Sequence, residues 1–189
     1  FDPQLNRNSG FLGQTPAAIY ADQSQPGGPT WSGDEMPRIF YDGPVSTTTA
    51  VILASAEPVG TEVGNSFADS VFGFYLDNVF IDGNSKAGFG LYGIRLVKPY
   101  VKNIIVENTT QHGVYIDQTF SGAFEHFECR KNLGCGFTVG RGVLDYGWVT
   151  GNRCNAVYFN NINGTANGQD KTYNESSNPL WGYGVGLGL

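Results

Sequence analysis

Apolar residues recur along most of this chain with a period of two. Val79 and Ile81, Ile104 and Val106, Ile94 and Leu96, Val114 and Ile116, Phe137 and Val139, and Val157 and Phe159 are each separated by a single residue. That period places both members of each pair on one face of a strand. No stretch sets apolar residues at i, i+3, i+4 and i+7 over three turns with helix formers between them, so very little helix is expected. Thr, Val, Ile, Phe and Tyr dominate the apolar runs, which also favours strands.

A longer unit repeats above this alternation. "YLDNVFIDGN" from Tyr75 matches "YVKNIIVENT" from Tyr100. Starting from Leu76, "LDNVFIDG" aligns with "VKNIIVEN" from Val101, "FEHFECRK" from Phe124 and "LDYGWVTG" from Leu144, in steps of 25, 23 and 20 residues. A second register aligns "GIRL" from Gly93, "GVYI" from Gly113, "GFTV" from Gly136 and "AVYF" from Ala156, in steps of 20, 23 and 20. Two strand motifs recurring together predict an all-β solenoid, because one unit buries its apolar side only when neighbours stack on it. Stacking places equivalent side chains about 4.8 Å apart, so each column should be chemically alike. Ile81, Val106, Cys129 and Val149 form such an inward column, and Asn78, Asn103, His126 and Tyr146 form another at a corner, where a polar group bonds the backbone. Gly93, Gly113 and Gly136 open strands of the second register, where a sharp corner calls for positive φ.

Outside the repeat the pattern changes. Residues 1–37 include "QSQPGGPTWSGDEMP", which cannot sustain a ladder and predicts an extended arm or irregular cap. Residues 38–189 form the solenoid, with "NINGTANGQDKTYNESSNPL" at 161–180 as a polar loop inserted on one face. Both ends read as cuts, so the solenoid is expected to be part of a longer one.

Composition narrows the partners. Net charge is −6 with eleven scattered Lys and Arg, which offers no stripe for phosphates and argues against nucleic acid. Apolar runs stop near five residues, too short for a membrane-spanning helix, and no membrane partner is expected. Glycine is abundant at 27 residues and the charged fraction is 15%, consistent with many turns and few salt-bridged helical faces. Cys129, Cys135 and Cys154 lack CxxC spacing. They read as buried free thiols, or as one disulfide and one remaining thiol.

The repeated "N-V-x-I-x-G/N" strand, with Asn or Gly at the corners and coils of about 20–25 residues, resembles the right-handed parallel β-helix of the pectin lyase-like superfamily. The likeness covers residues 72–160 and extends more faintly through "RIFYDG" and "AVILAS" into 38–71. Within it, "GFGLYGIRLVKPYVKNIIVENTTQHGVYID" is most similar to phage tailspike proteins. The resemblance implies a rigid carbohydrate-active scaffold in a virion tail or outside the cell, homo-oligomeric as a trimer or filament. The polygalacturonase Asn-Thr-Asp, Gly-His-Gly and Arg-Ile-Lys motifs are absent, and "QHG" around His112 is a partial echo at a corner. "RxPxxR" and clustered aspartates are also missing, so neither a calcium site nor another metal or cofactor is expected.

Candidate chemistry lies on the outward side of the second strand. Asp77, Lys102, Glu125 and Asp145 share one column, and Phe80, Ile105, Glu128 and Trp148 the next. Glu125 and Asp145 on adjacent coils would sit about 5 Å apart at the backbone, a spacing suited to the two carboxylates of a retaining glycosidase. They are the candidate catalytic pair, one raised in pKa by the other; otherwise they are solvating charges that discourage stray strand pairing. Tyr115 and Tyr158 are placed in an outward column with Arg95 and Thr138, and with Trp148, Glu128 and Asp117 they form the candidate sugar-binding set. A second subunit covering these rings is the alternative. Sequons begin at Asn108, Asn163 and Asn174 and are glycosylation sites if the chain is secreted. The expected function is thus binding, with or without cleavage by hydrolase or lyase chemistry, of a cell-surface polysaccharide. The alternative is a non-catalytic β-helix in a fibre shaft or extracellular filament.

Overall fold

The computed structural model describes residues 10–12, 36–55, 59, 70–139, 154–168 and 185–187. Among them the chain is all-β, without helix. In order the strands are β1 (Gly10–Leu12), β2 (Arg38–Phe40), β3 (Ser46–Ala54), β4 (Val71–Phe72), β5 (Tyr75–Asp82), β6 (Ala87–Ile94), β7 (Leu96–Val97), β8 (Tyr100–Glu107), β9 (Val114–Asp117), β10 (Ala123–Arg130), β11 (Phe137–Val139), β12 (Tyr158–Thr165) and β13 (Val185–Leu187).

Every strand pair is parallel. One sheet runs β1-β5-β8-β10-β12, with β2 also on β5; a second runs β13-β11-β9-β6-β3; a third pairs β4 with β7. Single bridges from Val97 to Phe120 and from Phe120 to Asn155 extend the third. The chain therefore visits the three sheets in the same order on each pass. In the first sheet, Tyr75 pairs with Tyr100, Tyr100 with Ala123 and Ala123 with Tyr158. In the third, Phe72, Val97, Phe120 and Asn155 follow each other at the same spacings of 25, 23 and 35 residues.

Three of the six expected steps hold and three do not. The steps from Leu76 to Val101 and from Val101 to Phe124 are as the sequence predicts, but Phe124 pairs with Phe159, not Leu144. Backbone geometry supplies a reason. Asn78, Asn103, His126 and Asn161 take φ of 58°, 54°, 57° and 51°, and each breaks its strand into two limbs. Asn enters this left-handed region more readily than most residues, so Asn161 suits the corner better than the Tyr146 expected there. "AVYF" accordingly feeds β12 of the first sheet instead of continuing the second. Residues 161–165, expected as loop, form the second limb of β12, with Ile162 turned toward the core. Leu144, Tyr146 and Val149 lie outside the described residues.

In the second sheet the expected step from Gly113 to Gly136 holds, and the step before it is offset by three residues. Leu91 pairs with Val114 and Val114 with Phe137, so Gly90-Leu91-Tyr92 is the counterpart of Gly113-Val114-Tyr115. The expected positive φ is not found: Gly93, Gly113 and Gly136 are not among the described residues with positive φ, and neither is Gly90 within β6. Close approach governs instead. A Cβ on Gly90 would collide with Val106 and the Gly113 carbonyl, and one on Gly113 would lie 2.6 Å from the Gly136 carbonyl oxygen.

Inward columns fill the space between sheets. Leu76, Val101 and Phe124, Val79, Ile104 and Phe127, and Ile81, Val106 and Cys129 are buried together with Leu91, Val114, Ile116 and Phe137 of the second sheet. Phe127 meets Phe137 edge to face at 5.0 Å and Phe124 stacks on Phe159 at 5.6 Å, joining sheets and successive passes through one aromatic cluster. Cys129 and Cys135 are buried free thiols and Cys154 is a partly buried one. Burial pushes the Cys154 thiol up to about 11 and Cys129 further, so neither is a ready nucleophile. Of the expected N-terminal arm, Gly10–Leu12 adds a strand opposite Tyr75–Asp77, and Met36 packs against Phe80 and Ile105.

A polar stack runs through this apolar interior. The Asn132 Oδ1 accepts from Thr109 N at 3.2 Å and Thr109 Oγ1 at 2.8 Å. Its Nδ2 donates to Asn167 Oδ1 at 2.9 Å, and Asn167 Nδ2 donates to the Cys129 carbonyl at 2.7 Å. All three side chains lie in buried residues, so each amide satisfies backbone groups that a turn would otherwise leave without partners. Asn132→Ala removes the central member and should lower unfolding free energy by about 2–4 kcal/mol. Urea denaturation is the measurement, and a loss under about 1 kcal/mol would show that the stack contributes little.

Candidate functional site

Side chains opposite the core on the first limb of the first sheet form two outward columns. Tyr75, Tyr100, Ala123 and Tyr158 are ladder neighbours in the first; Asp77, Lys102, Glu125 and Asn160 are neighbours in the second. The corner residues Asn78, Asn103, His126 and Asn161 border them. Strand alternation brings tyrosines and polar groups onto one face, and parallel pairing repeats that face at every pass.

Specific bonds fix the geometry at one end. Tyr75 Oη donates to Asp77 Oδ2 at 3.1 Å, Asn103 Nδ2 donates to Asp77 Oδ1 at 2.9 Å, and Lys102 Nζ lies 3.4 Å from Asp77 Oδ2. The Lys102 ammonium also sits 5.3 Å from the Tyr100 ring centre, within cation–π range. Desolvation opposes its charge, but Asp77 outweighs that and holds the Lys102 pKa above its ordinary value. Tyr75 and Tyr100 pack at 6.0 Å with a 38° tilt. Tyr100 is 37% and Tyr158 57% exposed, so both rings present apolar surface to solvent. Toward the far end, His126 and Asn161 meet at 3.1 Å and Asn163 Nδ2 donates to Asn161 Oδ1 at 3.1 Å.

The second limb is closed by ion pairs instead. Arg38 contacts Asp82 directly and lies 3.8 Å from Glu107, whose other oxygen accepts from Arg130 Nε at 2.7 Å. The two guanidinium groups lie 4.7 Å and 5.6 Å from the Phe80 ring centre. Burial pushes the Asp82 carboxyl up, but the Asn84 N–H, Arg38 and Asn108 together hold it below the usual carboxylate range. Arg38 thereby pins β2 to the sheet, and Arg130 ties β10 to β8.

The sequence-predicted residues separate accordingly. Glu125 lies on the exposed limb, but its ladder neighbours are Lys102 and Asn160. The register thus places Asn160, not Asp145, one step away, and the expected adjacent carboxylate pair is not what the ladder builds. Asp145, Trp148 and Asn174 lie outside the described residues. Tyr115 is 0% exposed and stacks on Tyr92 at 5.1 Å with a 19° angle. It is not an exposed sugar platform, because the outer face of the second sheet carries its own apolar cluster of Val59, Phe89, Tyr92, Ile94 and Tyr115. Thr138 shares that column, whereas Tyr158 belongs to the other sheet. Asp117 is buried and accepts from the Gln118 N–H at 2.7 Å. Glu128 is 1% exposed, with no hydrogen bond to Oε2 among the described residues. Burial raises its pKa against the opposing pull of Thr165 and Arg130. Asn108 donates to Asp82 at 3.2 Å, and Asn163 is partly exposed on β12.

Tyr100 was missed as a site residue, although the tyrosine opening both "YLDN" and "YVKN" was the available signal. Among the described residues no group of three or more His, Cys, Asp and Glu is placed to hold a metal ion. His112, the echo of a pectinase motif, is buried and accepts the Cys135 N–H on Nδ1 at 3.0 Å. Burial lowers its pKa to about 3. Comparison with protein-family models, with curated proteins and with solved structures found no match.

Two pH effects follow from these shifts. The unfolded chain protonates His112 near its ordinary value and the folded chain does not. Its contribution to stability is therefore complete above about pH 6.5 and declines by up to about 1.4 kcal/mol per pH unit between there and about pH 3. Denaturation midpoints of wild type and His112→Gln compared from pH 7 to pH 4 should converge toward acid; parallel curves would refute the assignment. Glu128 has the opposite sign, since a raised folded pKa disfavours folding once the unfolded carboxyl ionises. Glu128→Gln should raise Tm at pH 7 and match wild type at pH 4, and an unchanged or lower Tm at pH 7 would contradict this.

Proposed function

We propose that this chain is a phage tailspike-like protein that binds a cell-surface polysaccharide along the outer face of a right-handed parallel β-helix. Three parallel sheets visited in fixed order support the helical reading, and parallel crossovers are right-handed in nearly every known case. The observation that carries the binding reading is the outward tyrosine column beside Lys102, Glu125 and Asn160. Flat aromatic faces pack against the C–H faces of pyranose rings, while amides and carboxylates meet hydroxyl groups. A pair of carboxylates one ladder step apart is not part of the proposal, so binding is its content and cleavage is left to assay.

Affinity electrophoresis through gels containing capsular, lipopolysaccharide and uronic-acid polymers tests it, with new reducing ends and unsaturated products followed in parallel. At least one polymer should retard the protein, and the Tyr100→Ala/Tyr158→Ala double variant should bind roughly tenfold or more weakly. Equal retardation of wild type and double variant, or none with any polymer, would defeat the reading.

The second reading, a non-catalytic shaft or filament, rests on a different observation. Among the described residues, partly buried core residues lie on the outer strands of the sheets, Phe159 and Ile162 on one side and Ile39, Val51 and Ile52 on the other. Edge strands of this kind can join copies head to tail. Concentration-dependent polymers in sedimentation velocity would favour it.

A further inference from the structure

The outward column of the first limb has one vacancy in its aromatic series. Tyr75 and Tyr100 are adjacent, Ala123 follows, and Tyr158 comes next. Tyr100 and Tyr158 thus stand two ladder steps apart, about 9.6 Å at the backbone, with a methyl group as the floor between them. That opening leaves room for one further ring in the place of a missing aromatic. Resting on the polysaccharide reading above, we propose that a single uncharged pyranose residue inserts over Ala123, flanked by Tyr100 and Tyr158, with its glycan running along the stack and across the strands.

Three observations converge on that ligand. The two flanking rings are the most exposed aromatics of this column, whereas Tyr75 is tied to Asp77. Lys102 does not offer a free cation, because its ammonium is shared between Asp77 and the Tyr100 ring. The side chain of Glu125, the outward residue next along the strand from Ala123, makes no ion pair or hydrogen bond among the described residues. The opening therefore carries an acceptor for sugar hydroxyls and a negative charge, on a chain of net charge −6. Asn160, one step from Glu125, supplies an amide. A uronate or sulfated sugar would meet Glu125 without a compensating cation and is repelled.

The test fills the opening. Ala123→Tyr completes the tyrosine column, so it should fold with a Tm at or above wild type, since cross-strand aromatic pairs stabilise sheets. Binding is measured by affinity electrophoresis in dextran, mannan and hydroxyethylcellulose, and in the acidic polymers alginate and polygalacturonate. Wild type should be retarded by a neutral polymer and not by the acidic ones. Ala123→Tyr should lose that retardation by at least tenfold with its Tm intact, as should Tyr158→Ala, and Glu125→Lys should gain retardation in alginate. Undiminished neutral binding by a folded Ala123→Tyr, or tighter wild-type binding to acidic polymers, overturns the neutral-pyranose site while leaving polysaccharide binding in place. If Ala123→Tyr does not fold, Tyr158→Ala and Glu125→Lys decide the matter by the same two measurements. Absence of wild-type binding to any of the five polymers and to the broader panel overturns this inference and the underlying reading together.

Discussion

Parallel pairing at a common corner is the constraint on which the described structure depends. Asn78, Asn103, His126 and Asn161 all take positive φ at the same ladder position, so the four long strands of the first sheet, β5, β8, β10 and β12, bend at the same place. A strand that bent one residue earlier or later would turn its apolar residues outward, because side chains alternate with a period of two. The left-handed corner costs little for Asn and more for other residues. That cost is offset by ladder hydrogen bonds on both sides and by the shared core below.

Loops vary in length without disturbing this arrangement. The pass from β8 to β10 advances 23 residues and the pass from β10 to β12 advances 35, yet the strands on either side keep equivalent faces. Extra chain between fixed ends costs only slowly increasing closure entropy, whereas a register slip would expose a whole column. Closure at the other bend is achieved differently, by Thr109, Asn132 and Asn167, whose side chains bond turn backbone inside the core. Polar groups are tolerated there because their hydrogen bonds are made within the stack.

The outer faces of the sheets differ in how far they remain open. The second limb of the first sheet is occupied by Arg38, Arg130, Asp82 and Glu107, and the second sheet's outer face by Tyr92, Tyr115 and their apolar neighbours. On the first limb Tyr100 and Tyr158 stay exposed to solvent. Identical alternation therefore produced three chemically different surfaces, because different segments pack across each one.

Sequence alone determined the strand class, the inward columns and the first two steps of the repeat, since these rest on local alternation and on residues that must match across one ladder step. It also placed Asp77, Lys102 and Glu125 in one column correctly. Tertiary structure decided the remainder. The partner of Phe124 was fixed by a corner that Asn161 fills well, and a three-residue shift in the second sheet was hidden because "GLYGIRL" offers two similar glycine-led starts. The fates of Tyr115, Asp117 and Glu128 were beyond reach for a physical reason: alternation tells which side of a sheet a side chain faces, but burial of that side depends on chain segments distant in sequence.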